Sequence, residues 1–153
     1  MPYKKIIKTV PFEAEDIYNI ILDVEKYHEF LPYCTGVTTD FKSENEILAT
    51  MHLTVPALFK KVSVQYQSHI EANHFNHTIL IHSTQKDKFF NFMKSYWHIK
   101  PCIVGCQITY EISFEVQNPL LNVALSSLFL HHSQTIVDSF ITRANNILKP
   151  NAA

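Results

Sequence analysis

The sequence predicts an α+β domain in which a curved antiparallel sheet of six or seven strands packs around one long C-terminal helix. Three observations carry that expectation. Between residues 34 and 117 most segments alternate apolar and polar side chains with a period of two, the pattern of half-buried strands. These segments follow one another through hairpin-length connections, which favours antiparallel neighbours and places the helices on one face. After Pro119 the spacing becomes helical and stays so almost to the end of the chain. With 153 residues and no linker, repeat or low-complexity tract, the chain reads as a single domain over residues 1–150.

Residues 3–10 carry β-branched side chains in a weak alternation and read as a first strand, closed by Pro11. From Glu13, Ile17, Ile20, Ile21 and Val24 recur at helical spacing behind the acids Glu13, Glu15 and Asp16, which suit the positive end of a helix. Leu31-Pro32 stops that helical region, because proline disfavours helical backbone in the residue before it. Strands are expected at 34–41, 47–55 (ended by Pro56), 59–72, 78–84, 89–100 and 103–117. In 103–117, Val104, Cys106, Ile108, Tyr110, Ile112, Phe114 and Val116 share one face opposite polar residues. In 89–100 both faces are apolar; Phe90, Phe92, Tyr96 and His98 form one set, and Met93, Trp97 and Ile99 the other. Asn118-Pro119 opens the last helix with a capping residue followed by a first-turn proline. It should run to Leu148, about 45 Å, with Leu121, Leu125, Leu128, Ile136, Phe140 and Ile147 on one side.

Composition narrows the functional classes. Thirteen basic against 14 acidic residues give a net charge of −1, so no global field attracts DNA or other polyanions. The N-terminal apolar run is too short for a signal peptide or spanning helix, so a cytoplasmic protein is expected. Cys34, Cys102 and Cys106 form no disulfide framework, and the even-numbered pair Cys102 and Cys106 is expected to be buried and inert. Nine histidines show no zinc-ligand spacing, His131 and His132 are adjacent on a helix, and no metal or cofactor is expected. Ser126-Ser127 has no nucleophile elbow, and two glycines are too few for a phosphate loop. Enzyme motifs are absent.

What remains is an apolar concave surface. Phenylalanine and tyrosine, 11 and 7 of them, supply bulk that either fills a core or lines a cavity. A long helix laid across a strongly curved sheet need not fill the space beneath it. By the alternation, Tyr66, Tyr96, His98 and Tyr110 are the polar tips facing that space, able to orient a carbonyl or hydroxyl group. Leu53, Val64, Phe92, Ile108 and Ile112 from the strands are the expected apolar walls. Leu125, Leu128, Ile136 and Phe140 close the space from the helix.

Three segments then carry a resemblance. Asp23-Val24-Glu25-Lys26-Tyr27-His28-Glu29-Phe30-Leu31-Pro32-Tyr33-Cys34 resembles the DVExYxxFLPWC segment of the coenzyme Q-binding START-like family, which also contains proteins named ribosome association toxins. Ser95-Tyr96-Trp97-His98-Ile99-Lys100-Pro101 is similar to that family's xxWxFxP strand, and Phe114-Glu115-Val116-Gln117-Asn118-Pro119-Leu120-Leu121 to its FEFxxPLL junction. The segments fall in the family's order. Tyr33 stands where Trp is usual, Glu13 where a capping Ser is common, Phe89 to Lys94 has no glycine loop, and residues 56–61 fit poorly.

The resemblance implies a helix-grip fold and non-catalytic binding of ubiquinone or a related polyisoprenoid lipid such as menaquinone, in support of respiration. It implies peripheral contact with the inner membrane, for which the apolar stretch 120–130 is the candidate face. Two alternatives come with it. One is an inhibitor of ribosomal subunit joining, disfavoured by the near-neutral charge. The other is a cyclase or aromatase using the same cavity, with Tyr96 and either His98 or Tyr110 as its proton-transfer pair.

Overall fold

The computed structural model describes residues 3–57, 60–84, 90–117 and 119–149, and for residues 55, 57, 90 and 119–132 the backbone alone. The element order is β1 (Tyr3–Val10), α1 (Ala14–Leu22), a 3-10 turn (Val24–Glu29), β2 (Cys34–Lys42), β3 (Glu46–Ala57), β4 (Lys60–Asn73), β5 (Thr78–Ser83), β6 (Phe90–Cys102), β7 (Gly105–Val116) and α2 (Pro119–Ile147). All seven strands form one antiparallel sheet in the order β1-β7-β6-β5-β4-β3-β2. From β2 to β7 the chain is a meander. β1 joins it at β7, so α1 and the 3-10 turn carry the chain from one edge of the sheet to the other.

Alternation decides which side of each strand meets the helices. On β7, Cys106, Ile108, Tyr110, Ile112, Phe114 and Val116 are all buried, as their period predicts. On β4 the buried set is Val64, Tyr66, Ser68, Ile70 and Ala72. β6 reverses the expectation. Trp97 pairs with Tyr110, Ser95 with Ile112 and Met93 with Phe114, and residues directly opposite share a face. Met93, Ser95, Trp97 and Ile99 are therefore the inner set. Tyr96, opposite Glu111, and His98, opposite Thr109, lie on the outer face, as does Phe92 opposite Glu115. Both faces of β6 are apolar, so its own pattern separates two sets without saying which is inside.

The helical segments also depart in detail from a simple periodic reading. The region after Glu13 is two pieces, broken at Asp23 (φ −80°, ψ 64°). Across the break, the buried Tyr27 hydroxyl donates to the Ile21 carbonyl, satisfying an acceptor at the end of α1. On α2, Ser133, Val137, Phe140 and Ala144 are buried at helical spacing. Ile136 is half-buried beside them, whereas Ile147 is 54% exposed rather than part of the packed side.

Both strand prolines obey one rule. Thr54 N–H donates to the Tyr33 carbonyl and Ile99 N–H to the His77 carbonyl. Pro56 and Pro101, two residues further on, turn their nitrogens to the same flanks, past the last pairs of β2 (Cys34 with Leu53) and β5 (Thr78 with His98). No hydrogen is needed there, so β3 continues through Pro56 to Ala57 instead of ending before it.

β7 begins at Gly105, not at residue 103. Ile103 and Val104 form the preceding turn and are exposed, so Val104 is not part of the buried face. Cys102 is exposed beside that turn and only Cys106 is buried, which corrects the expected pair of buried thiols. Gly105 has φ +155°, and a Cβ there would lie 2.3 Å from the Val10 carbonyl oxygen. Gly105→Ala should therefore force β1 away from β7 and cost on the order of 2 kcal/mol, visible as a lower urea midpoint.

Candidate functional site

The concave side of the sheet and α2 leave a cavity of about 110 Å³ between them. Four layers of chain wall it. The 3-10 turn supplies Val24 and Tyr27, and the following Leu31, Pro32, Tyr33 and Cys34 run along one side. Met51 and Leu53 come from β3, Tyr66, Ser68 and Ile70 from β4, and Ile81 from β5. Met93, Ser95 and Trp97 on β6 face Tyr110 and Ile112 on β7. Ile136 and Phe140 close it from α2.

Aromatic side chains set the shape of this space. The Phe140 ring meets Tyr27, Phe30 and Trp97 edge-on, at centroid distances of 5.3, 5.2 and 5.0 Å. Trp97 in turn lies 4.3 Å from Tyr110 with a tilt of 36°. Outside this cluster, Arg143 reaches Glu29 at 3.2 Å and stands 5.1 Å over the Phe30 ring, tying α2 to the 3-10 turn.

Tyr33 is bent to serve the wall. Its φ of 66° is left-handed, a conformation that costs a non-glycine residue roughly 1–2 kcal/mol. The bend turns the chain from Pro32 into β2 and places the Tyr33 carbonyl 2.8 Å from the Thr54 amide.

The polar content of the wall is hydroxyls, one thiol and the Trp97 indole; among the described residues no carboxylate, imidazole, amine or guanidinium lines it. Burial pushes the Tyr110 phenol well above its ordinary value of 10.0, with the neighbouring Tyr66 adding to the effect. Burial also raises Tyr27, helped by the fields of Tyr110, Cys34, Asp23 and Tyr66. The Cys34 thiol is pushed up by burial too, and away from the cavity burial takes Cys106 to about 12. These phenols and thiols are held in their protonated forms, as hydrogen-bond donors rather than bases. Ser68 and Ser95 are 1% and 9% exposed.

Of the residues expected from the sequence, Leu53, Tyr66, Tyr110, Ile112, Ile136 and Phe140 converge on the cavity. Val64 and Ile108 lie on the same concave face but are packed in the core beside it. Phe92, Tyr96 and His98 belong to the outer surface, where Tyr96 borders a shallow depression with Tyr3, Lys94 and Glu111. That placement removes Tyr96 and His98 as a proton-transfer pair inside the cavity. Leu125 and Leu128, like the 120–130 stretch as a whole and His131 and His132, lie where the backbone alone is described. Ser68, Ser95, Met93, Trp97 and the 31–34 segment were not anticipated. The Asp23–Cys34 motif and the pairing of Trp97 with Tyr110 are the signals that point to them.

The sequence model of a family described as polyketide cyclase / dehydrase and lipid transport matches residues 10–141. A ribosome association toxin of Rickettsia prowazekii is 21% identical over 142 residues, 93% of this chain and 95% of its own length. A mitochondrial coenzyme Q-binding protein (COQ10 homolog B) of Xenopus laevis is 25% identical over 130 residues, 80% of this chain and 49% of its own. Among solved structures, the Zhui aromatase/cyclase from Streptomyces sp. R1128 superposes with a TM-score of 0.80 at 11% identity, covering 94% of this chain and 93% of that one. At that identity the superposition speaks to the helix-grip fold alone.

The buried phenols make stability depend on alkaline pH. Tyr27 and Tyr110 stay protonated in the folded protein, whereas in the unfolded chain they ionise near 10.0. Their contribution is therefore intact below about pH 10 and is lost as pH rises above it. Urea midpoints measured from about pH 8 to about pH 11 should fall at the alkaline end, and Tyr110→Phe should shrink that fall.

Proposed function

The chain belongs to the polyketide cyclase / dehydrase and lipid transport family, and from its cavity we propose that it binds one ring-headed isoprenoid lipid, a quinone of the ubiquinone type, without transforming it. The observation that carries this reading is the wall chemistry: apolar side chains with protonated hydroxyls and no described acid–base pair. A quinone ring offers two carbonyl acceptors and an apolar perimeter. Tyr110, Ser68 and Ser95 are donors suited to those carbonyls, and Trp97 and Phe140 are suited to the ring.

Size favours a head group over a whole lipid. An apolar cavity of about 150 Å³ accepts benzene, so about 110 Å³ is the scale of a single small ring with slight opening of the walls. The tail then extends beyond the cavity, each covered methylene contributing about 0.8 kcal/mol. Among the described residues no helix is long and apolar enough to cross a membrane. A cytoplasmic carrier that touches the inner membrane peripherally through residues 120–130 fits this reading, with respiratory electron transport as its beneficiary. A catalytic cyclase role is less well supported, because it needs a proton acceptor that the described wall lacks.

A second reading keeps a specific support. Relatives named ribosome association toxins align over nearly the whole chain, so an inhibitor of subunit joining is the competing assignment.

Native mass spectrometry with lipid extraction, on protein purified from a quinone-producing host, tests the first reading. One co-purified quinone per chain is expected. Tyr110→Phe should weaken uptake of added ubiquinone about 5- to 10-fold, the worth of one net hydrogen bond, and Ile112→Trp, which fills the cavity, should abolish it. A folded protein that carries no quinone and takes up none overturns the carrier reading. Sucrose-gradient sedimentation of ribosomes then decides the second: free subunits accumulating on addition of the Ile112→Trp protein would place the activity outside the cavity.

A further inference from the structure

On the convex face of the sheet, opposite the cavity, four side chains from three adjacent strands converge: Glu46 on β3, His69 and Glu71 on β4, and His82 on β5. One ring nitrogen of His69, one of His82 and a carboxylate oxygen of Glu71 all lie within 4.8 Å of one another. The pairing places them there. His69 stands directly opposite His82, with their ring centroids 5.0 Å apart, and Glu46 stands opposite Glu71.

The hydrogen bonds of the two rings specify their free nitrogens. His82 Nδ1 stands 3.4 Å from the Ser83 carbonyl oxygen, and the tautomer that donates there is the one that would leave Nε2 to ligate a metal. His82 Nε2 is 3.9 Å from the Glu71 carboxylate, a gap that a proton on the ring or a shared cation would bridge. His69 Nε2 lies 2.7 Å from Glu46 Oε1, which makes it a donor and leaves Nδ1 as the lone pair. A carboxylate or a backbone carbonyl on one imidazole nitrogen is the arrangement that orients histidines on metals. Glu46 and Glu71 also bring carboxylate charge to the group, which a divalent cation would neutralise.

We propose that His69, His82 and Glu71 form a surface site for a divalent transition-metal cation, Zn²⁺ in the first instance, with Glu46 orienting His69. Imidazole with carboxylate is a donor set for zinc rather than for calcium or magnesium. Donors around tetrahedral Zn²⁺ stand about 3.3–3.5 Å apart, given bond lengths of about 2.0–2.2 Å, so contraction from within 4.8 Å is a matter of side-chain rotation. The side chains are 24–52% exposed, which leaves one side open to water as a remaining ligand. Bound there, the metal would clip β4 to β5 beneath the sheet, behind the cavity wall formed by Ser68, Ile70 and Ile81. This site does not depend on what the cavity binds.

Equilibrium dialysis and isothermal titration with Zn²⁺ alone, on purified untagged protein, test the assignment. One Zn²⁺ per chain is expected, with affinity falling on the order of a hundredfold in His82→Ala and in His69→Ala and on the order of tenfold in Glu46→Gln. His74→Ala, which removes a histidine paired with Glu15 at 3.5 Å on another part of the surface, should leave binding unchanged. The circular dichroism spectrum of each variant confirms folding. Absence of saturable uptake, or uptake that survives both His69→Ala and His82→Ala, overturns the site.

Discussion

Phe140 is the point at which three separate parts of the chain become one structure. Its ring meets Tyr27 and Phe30 from the 3-10 turn and Trp97 from β6, all edge-to-face. That cluster, within the core that also holds Val24, Val137 and Ala144, sets the distances between the 3-10 turn, α2 and the middle of the sheet. The Arg143 contact with Glu29 and Phe30 is more exposed and lies at the rim, so it sets direction more than strength. Ring size is the constraint. Three aromatic edges keep the helix from settling onto Ser68, Ser95 and Ile81, and the remaining gap is the cavity.

Hydroxyls in such a gap are an economical source of specificity. A buried carboxylate or amine would need a partner or would change its protonation state, whereas a tyrosine or serine stays neutral and still donates. Burial reinforces this at Tyr110 and Tyr27 by making ionisation harder. A helix-grip frame can therefore keep its shape while the chemistry of its wall varies.

Much of the architecture was legible in the sequence because its strongest signals are local. The alternation on β7 and the helical spacing around Val137 and Phe140 each need only their own segment. β6 was read with the wrong face inward because both its faces are apolar and its orientation is fixed by the partner strand, through Trp97 opposite Tyr110. The wall from Leu31 to Cys34 has no period at all; it is irregular backbone, bent at Tyr33, and the family motif was its one visible trace. The His69, Glu71 and His82 group escaped for a related reason. Ligand motifs assume donors on one helix or loop, and here the register between strands brings them together. Leu53, Tyr66, Tyr110, Ile112, Ile136 and Phe140 reach the cavity because β3, β4, β7 and α2 alternate cleanly.

The place of β1 in the sheet has a further consequence, for synthesis. Tyr3 pairs with Ser113 and Val10 with Cys106, so the first strand made is among the last to find its neighbour. On a ribosome, the meander from β2 to β6 can zip from hairpin to hairpin, while β1 waits for β7 with both edges of its backbone unpaired. Closure of the sheet and delivery of α2 both depend on the last third of the chain. The interior between the sheet and α2 therefore closes late, only once β7 and the helix that follows it have been made.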